Sequence, residues 1–429
     1  MNYTEALDYI SATTRLGSRL GLGRILELLD LMDNPQKKTK FVHVAGTNGK
    51  GSTVMMTSSV LQKAGYTTGL FISPHLYRYN ERMQVGKGGG NGFTEITDEE
   101  FADITAYIKS KIDTMYQSPT EFEILTAIGF EHFYRQGADF AVLEVGLGGR
   151  LDATNVIDYP ECSAITAIGF DHVAELGHTL ESIAWAKAGI IKPERPTVLY
   201  DQEQIVIDTV AEECRKMRSA LRVTDSKSIE QISSGRDGQV FRYKGVGDYE
   251  LPLLGEHQLK NASVVLETVG VLRSRGFEIS EEAVKDGLRD CVWPGRFEIL
   301  SRDPYFVVDG GHNPQCAETV VANIKEYFPG QKAVMLLGIL ADKDYPEMLE
   351  IINETAESFV CVMPDSSRAL MPEDLAKYLE KFGKPVCYFD TIEAGVENAR
   401  ELAAETTGVA CAVGSLYMTG PIRACFGRY

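Results

Sequence analysis

The sequence predicts an α/β fold: a central, mostly parallel sheet domain that carries a phosphate loop, followed by a smaller Rossmann-like α/β domain. Three observations predict it. Short apolar, β-branched runs alternate with amphipathic helical patterns along the chain, the signature of βαβ units and parallel strands. The stretch FVHVAGTNGKGSTVMM, from Phe41 to Met56, sets a glycine-rich turn between a strand and a helix. After Pro294 and Gly295 the alternation restarts, so a boundary near Arg296 divides the chain into residues 1–296 and 297–429. A length of 429 residues, too much for one ordinary core, agrees with two domains and leaves room for a third.

In the first part, KFVHVAG, TTGLFIS, DFAVLEVG and CSAITAIG read as strands. Two helical patterns precede the glycine-rich turn, and a helix from Ser52 to Lys63 follows it. TDEEFADITAYIKSKI opens as a capping box, Thr97 facing Glu100. GKGGGNG, from Gly86 to Gly92, reads as a flexible surface loop. Between Val223 and Leu254 the alternation in QVFRYKG and DYELPLL predicts a small antiparallel edge to the sheet, and the helix NASVVLETVGVLRSRG comes next. In the second part YFVVDGGHN, KAVMLLGIL, SFVCVM, PVCYF and VACAVGSLYM are strands. There is no fixed-period repeat and no low-complexity tract, which sets aside solenoids and disordered tails.

The charge balance is acidic, 43 Lys+Arg against 61 Asp+Glu with a formal charge of −18. That disfavours a general nucleic-acid or anionic-membrane surface, since both need a basic face, and leaves room for local basic pockets. The eight cysteines are scattered and never form C-x-x-C, as expected of reduced thiols in a cytoplasmic protein. The start MNYTEALDYI has neither a basic nor an apolar leader segment, and no apolar run approaches the roughly 20 residues that cross a bilayer.

The glycine-rich turn departs from the common phosphate-loop spacing G-x-x-x-x-G-K-[ST]. Only Thr47 and Asn48 separate Gly46 from Gly49 and Lys50, and Gly51 stands between the lysine and Ser52. Backbone N–H groups of Gly46, Asn48, Gly49 and Gly51 can converge on an anion, because glycine reaches positive φ without a Cβ clash. The helix N-terminus adds its partial positive charge, and Lys50 reaches the β/γ-phosphates. A tight turn with a lysine in solvent is the plainer alternative. The order Gly-Thr-Asn-Gly-Lys-Gly-Ser between strand and helix favours nucleotide phosphate.

Glu144, in AVLEVGLGGRLDATN, lies among apolar residues, where a carboxylate needs a cation. Beside a phosphate loop that cation is Mg²⁺; a buried acid paired with Arg150 is the equal alternative. Ser73 in FISPHLYRYNERM and His172 in IGFDHVAELG also follow apolar strands and open onto the same sheet edge, where α/β proteins bind ligands. Lys187, in ESIAWAKAGIIKP, is either a snorkelling helix lysine or a buried one whose depressed pKa leaves a neutral amine able to take up CO₂ as a metal-binding carbamate.

Together GTNGKGS, SPHLYRYNERM, LEVGLGGRLDATN, IGFDHVAELG, KAGIIKP, GEHQLKNA, WPGRFE, DGGHNP and GSLYMTG resemble the folylpolyglutamate synthase/dihydrofolate synthase family, a branch of the Mur ligase superfamily. The likeness covers essentially the whole chain, including the opening LGLGRILELLDLMDNPQKKTKFVHVAG. It implies a Mur ligase-type central domain, residues 1–296, with ATP and folate sites, and a C-terminal ligase domain, residues 297–429. The implied activity is ATP-dependent amide ligation of a folate, or of dihydropteroate, to L-glutamate through an acyl phosphate. The resemblance further implies that Thr47, Asn48, Gly49, Lys50, Gly51, Ser52 and Thr53 cradle ATP, with Asn261 and Arg296 as further contacts. Two Mg²⁺ are implied on Ser73, Glu144, His172 and carbamylated Lys187. The pterin side resembles Thr120, Glu121, Phe122 and Glu123 together with Leu151, Asp152 and Ala153, while Asp309 and His312 resemble C-terminal contributions. His312, or Asp309, would orient or deprotonate the glutamate amine. The chain departs from the family at Ala186, where members often carry Glu, which bears on the hydrogen bonding around Lys187.

Small-molecule substrates and a cytoplasmic monomer are expected, with neither nucleic acid nor membrane as partner. The enzymatic competitor is a cell-wall Mur ligase acting on a UDP-linked sugar peptide, which carries a nucleotide-sugar domain ahead of its loop; only 45 residues precede Gly46. A catalytically inactive nucleotide-binding regulator is the competitor from another class. It would have lost metal or phosphate positions, and Lys50, Glu144, His172, Lys187 and Arg296 are all present.

Overall fold

The structure is a computed structural model that describes residues 1–13, 21–342, 344–406 and 408–428. Leu20, at the head of the opening motif, lies outside them. The chain divides into two compact units, one comprising Met1–Glu230, Phe241–Glu250 and Lys260–Cys291, the other Gln231–Val240, Leu251–Leu259 and Val292–Tyr429.

The first unit is built on an eight-stranded sheet. Its strands are β1 (Lys40–Ala45), β2 (Thr68–Phe71), β3 (Met83–Gly86), β4 (Thr94–Glu95), β5 (Phe140–Glu144), β6 (Cys162–Ile165), β7 (Thr197–Leu199) and β8 (Leu221–Val223), in the order β4-β3-β2-β5-β1-β6-β7-β8. Pairing is parallel from β2 through to β8, and antiparallel where β3 and β4 extend one edge. Apolar runs such as FVHVA and FAVLE form the middle of the sheet because both faces are covered, and all of β5 is buried. The helix Lys50–Lys63 begins two residues earlier than expected and is buried from Gly51 to Gln62. It packs against the helix Glu281–Arg289, whose Gly287 comes so close that an added Cβ would lie 2.6 Å from Val60 Cα. On another face, the helices Tyr3–Thr13, Asp98–Ile112 and Glu121–Arg135 bury Ile10, Phe101, Ile104, Ile124 and Phe130 in one core.

Three local expectations change. Thr97 caps its helix by accepting Glu100 N–H, but the Glu100 carboxylate turns to His132 and Gln136, each at 3.0 Å, so the reciprocal half of the box is absent. The glycine-rich segment after β3 is tied down by Gln62, whose carbonyl accepts Gly89 N–H at 2.7 Å and whose amide donates to Gly92 O at 2.6 Å. The segment expected at the sheet edge forms a sheet of its own, β9 (Ile229–Gly235), β10 (Gly238–Tyr243) and β11 (Val246–Leu251), in the order β11-β10-β9. Alternation identifies a strand by its two faces but carries no information about its partner.

In the second unit a six-stranded sheet comprises β12 (Glu298–Arg302), β13 (Tyr305–Val308), β14 (Ala333–Leu337), β15 (Ala356–Cys361), β16 (Val386–Tyr388) and β17 (Val409–Val413), ordered β12-β13-β17-β14-β15-β16. All its pairs are parallel except β12 with β13. Every cysteine is a free thiol. Among the described residues no helix is long and apolar enough to cross a membrane.

Candidate active site

β1 lies between β5 and β6, with Val44 opposite Glu144 on one side and Ala164 on the other. Chain order reverses about this strand, which opens a crevice beyond the C-terminal strand ends. The loops leaving β1, β2, β5 and β6 carry Lys50, Ser73, Glu144 at its strand end, and His172.

From Ala45 the chain turns through Gly46, φ 156°, and Gly49, φ 83°, into the helix. Both positions are closed to a side chain. A Cβ on Gly46 would lie 1.8 Å from Thr166 Oγ1, and one on Gly49 2.4 Å from the buried Asn261 amide oxygen. The turn is braced from the β6 side: Thr47 and Asn48 N–H donate to Ala167 O at 2.8 and 3.1 Å. The Thr166 hydroxyl donates to Asn48 O at 2.8 Å. Asn48 N–H, expected to face a phosphate, is therefore spent on an antiparallel bridge to Ala167. The first backbone bond of the helix runs from Thr53 N–H to Gly49 O, 3.0 Å. The amides of Lys50, Gly51 and Ser52 thus precede the helical ladder and are the ones placed to receive an anion.

Lys50 Nζ donates to Thr47 O at 3.1 Å and stands 4.0 Å from Glu144 Oε1. The other carboxylate oxygen, Oε2, accepts Ser73 N–H at 3.0 Å. Arg150 is not the cation of Glu144: it pairs with Glu213 at 2.7 Å and lies over the Trp185 ring, 4.1 Å from its centroid. Lys187 does not snorkel. It is 5 % exposed, and its ammonium donates to Gly46 O at 2.7 Å. Burial, reinforced by the Lys50 charge and opposed by Asp171 and Asp152, pulls its pKa from 10.5 to about 7. His172, φ 50°, caps a short helix, Val173–Leu176, with its Nε2 3.9 Å from Asp171 Oδ2. Asp171 was missed in the sequence, where an Asp-His pair after a strand reads as ordinary loop; its side chain is only 12 % exposed and its charge is felt at Lys187.

Among the described residues no three His, Cys, Asp or Glu side chains converge as a metal-holding group. Magnesium asks less of a protein, commonly one or two carboxylates with the substrate phosphates completing the shell. A buried hard-oxygen donor, Glu144, held beside the lysine of the phosphate loop fits that ion.

On the expected pterin side, Thr120 and Glu123 cap the helix Glu121–Arg135 reciprocally, with Thr120 N–H on Glu123 Oε2 at 2.7 Å. The same buried carboxylate takes Arg24 Nε at 3.0 Å, so both side chains serve the frame. Glu121 accepts the Tyr79 hydroxyl at 2.7 Å, and burial together with that bond pushes the phenol up to about 12. Phe122 meets Phe71 edge-on and lies over Gly146, where a Cβ would be 2.6 Å from the ring. Leu151 is exposed, Ala153 buried, and the buried Asp152 accepts the N–H groups of Leu147 and Thr154 at 2.8 and 2.9 Å.

In the second unit, Asp309 at the end of β13 accepts Phe297 N–H at 2.8 Å and Gly311 N–H at 2.7 Å. This holds the DGGH turn against the chain that follows Arg296. His312 Nδ1 lies 3.1 Å from Gly310 O, and a Cβ on Gly310 would lie 2.7 Å from Arg296 Nη1. Glu298 was not anticipated: it accepts Gly295 N–H at 2.8 Å and pairs with Arg423 at 3.0 Å, fixing the WPGRFE turn.

Residues 91–269 match the Mur ligase middle domain and residues 295–416 the Mur ligase glutamate ligase domain. A dihydrofolate synthase/folylpolyglutamate synthase of Bacillus subtilis is 35 % identical over 384 residues, covering 87 % of this chain and 88 % of that one. A Mycobacterium tuberculosis folylpolyglutamate synthase complexed with ADP superposes with a TM-score of 0.89 at 31 % identity, covering 100 % of both chains. The E. coli FolC structure in complex with DHPP and ADP gives 0.84 at 30 % identity, covering 98 % of this chain and 97 % of that one.

Proposed function

The chain belongs to the folylpolyglutamate synthase/dihydrofolate synthase family of Mur ligases, and from that membership we propose how its residues carry the reaction. It is an ATP-dependent ligase that joins L-glutamate to folates. A cell-wall-type ligase and an inactive regulator are not favoured by these relatives. Dihydropteroate is the second acid it takes, as the paired activities in the relatives' names support. We take the enzyme to act as a cytoplasmic monomer.

A carboxylate resists an amine because oxide is a poor leaving group. Transfer of the γ-phosphoryl of ATP onto the folate carboxylate makes an acyl phosphate, which the glutamate amine attacks to give amide, phosphate and ADP. The chain's part is positioning and charge. The Lys50 side chain and the amides of Lys50, Gly51 and Ser52 receive the phosphates, within the loop that Thr47, Asn48 and Gly49 shape and that Thr53 N–H closes onto Gly49 O. Asn261, packed on Gly49, fixes the loop's far wall. Arg296 contributes a further ATP contact, and Asp309 with His312 meets the glutamate amine. Lys187, whose pKa near 7 leaves a share of it as the free amine at neutral pH, adds CO₂ to that amine and releases a proton, leaving a carbamate. Ser73, Glu144, His172 and that carbamate would hold Mg²⁺ at two sites, and the bound ions would supply charge neutralisation for the phosphates. Glu121, Phe122, Leu151, Asp152 and Ala153 face the pteridine-bearing substrate, with Thr120 and Glu123 holding the first two in place.

The observation that carries this reading is the grouping of Lys50, Glu144 and Ser73 N–H beside a loop whose own carbonyl, Gly46 O, receives Lys187. The test is isotopic. Folate labelled with ¹⁸O in its carboxylate should deliver label to inorganic phosphate, with ADP as the nucleotide product; label in AMP, or unlabelled phosphate beside normal amide formation, overturns it.

A further inference from the structure

His43 is an imidazole on the central strand β1, completely buried between Val42 and Val44. A polar ring in that position needs a partner. Its Nε2 lies 2.8 Å from Thr154 Oγ1, and that hydroxyl in turn donates to Asp152 Oδ1. Oδ1 also takes Thr154 N–H at 2.9 Å, while Oδ2 takes Leu147 N–H at 2.8 Å. A hydroxyl has one proton. Given to Asp152, it obliges Thr154 to receive one from His43, which fixes the ring as the Nε2–H tautomer with Nδ1 bare. Among the described residues no hydrogen-bond partner faces Nδ1, as a bare nitrogen allows. Burial and the charge of Lys192 pull the ring's pKa down to about 3, so it is neutral throughout the working range. Lys192 itself donates to Asn155 O at 3.0 Å, on the same segment.

We propose that His43 and Thr154 are positioning residues, a hydrogen-bonded chain that sets the orientation of Asp152 and through it the loop 146–152 for the pteridine-bearing substrate. The inference rests on the reading that Leu151, Asp152 and Ala153 lie at that substrate. Two facts give the chain direction. His43 stands three residues before Gly46, and the loop 146–152 begins two residues after Glu144. The chain therefore ties the strand that carries the phosphate loop to the loop that receives the acid to be phosphorylated. A histidine kept only to fill the core would leave catalysis indifferent to the Thr154 hydroxyl.

The test compares Thr154→Val, which removes the hydroxyl at nearly constant volume, with Thr154→Ser, which keeps it. Thr154→Val should raise KM for dihydropteroate or tetrahydrofolate about tenfold, the loss of one buried hydrogen bond, with KM for ATP and for glutamate within about twofold of the parent. Thr154→Ser should restore the parental value. In ¹⁵N-histidine spectra of the full chain, one ring should show the Nε2–H tautomer and lose it in Thr154→Val. His43→Gln, which keeps a donor, should fall between Val and the parent. An unchanged folate KM in folded Thr154→Val, or an equal rise in all three KM values, overturns the chain. Asp152→Asn separates the two levels: a raised folate KM there with none in Thr154→Val rejects the chain alone, whereas no effect in Asp152→Asn rejects the substrate placement and the chain with it.

Discussion

Lys187→Met should stabilise the protein below neutral pH while abolishing turnover. In the unfolded chain a lysine keeps its proton up to 10.5, whereas in the folded protein Lys187 gives it up near 7. Between those values the unfolded state binds more protons, so the parent gains stability as pH rises. The unfavourable contribution of Lys187 is thus fully present below pH 7 and fades toward 10.5. At 1.36 kcal/mol per pH unit it amounts to about 5 kcal/mol. Methionine has no such titration but leaves Gly46 O, now bonded at 2.7 Å, without its donor. A buried unpaired carbonyl costs about 1–3 kcal/mol. The net expectation is a gain of about 2–4 kcal/mol at pH 6, turning to a small loss near pH 10. Trp185 belongs to the first unit and Trp293 to the second, so urea unfolding followed by fluorescence in a Trp293→Phe background reports the relevant unit. Buffers free of bicarbonate and divalent ions keep the amine unmodified. A difference that does not change between pH 6 and 10, or a variant less stable than the parent at pH 6, refutes the reasoning.

Lys50→Ala should lower kcat about 10²–10³-fold, as loss of a preorganised charge at a phosphoryl group does, with an unchanged circular dichroism spectrum. Gly49→Ala places a Cβ at φ 83° and 2.4 Å from Asn261 Oδ1; ADP affinity by calorimetry should drop more than about tenfold, and Asn261→Ala should not restore it because the left-handed strain of about 1–2 kcal/mol remains. Arg24→Met strips the cation from Glu123, a carboxylate 3 % exposed; the urea midpoint should fall by the equivalent of about 3–5 kcal/mol, and adding Glu123→Gln should recover part of it.

How much the sequence discloses depends on whether a feature's cause is local. β1, β2, β5 and β6 are legible because strands covered on both faces leave unbroken apolar runs. β7 and β8, three residues each, are too short to show a pattern. β12 hides because it starts at the end of the WPGRFE turn, which reads as a break, and pairs antiparallel with β13 across Asp303 and Pro304. In the three-stranded sheet the period of β10, with Phe241 and Tyr243 turned inward, shows a strand without showing which sheet it joins.

The site divides the same way. The glycine-lysine spacing locates the phosphate loop, since conformational need is written at the residue that has it. What closes each glycine is not: Thr166 and Asn261 stand 120 and 212 positions away from Gly46 and Gly49. Lys187 presents the sharpest case, because the same four-carbon stem snorkels or buries depending on whether an acceptor waits inside. The acceptor here is the carbonyl of Gly46, 141 positions distant, on a residue that adopts φ 156°. The residue that permits the phosphate loop its turn is therefore also the one that holds the lysine in the interior. An alanine at Gly46 would strike Thr166 and disturb the acceptor of Lys187 together with the loop, so the course of the turn and the seating of the buried lysine depend on the same residue.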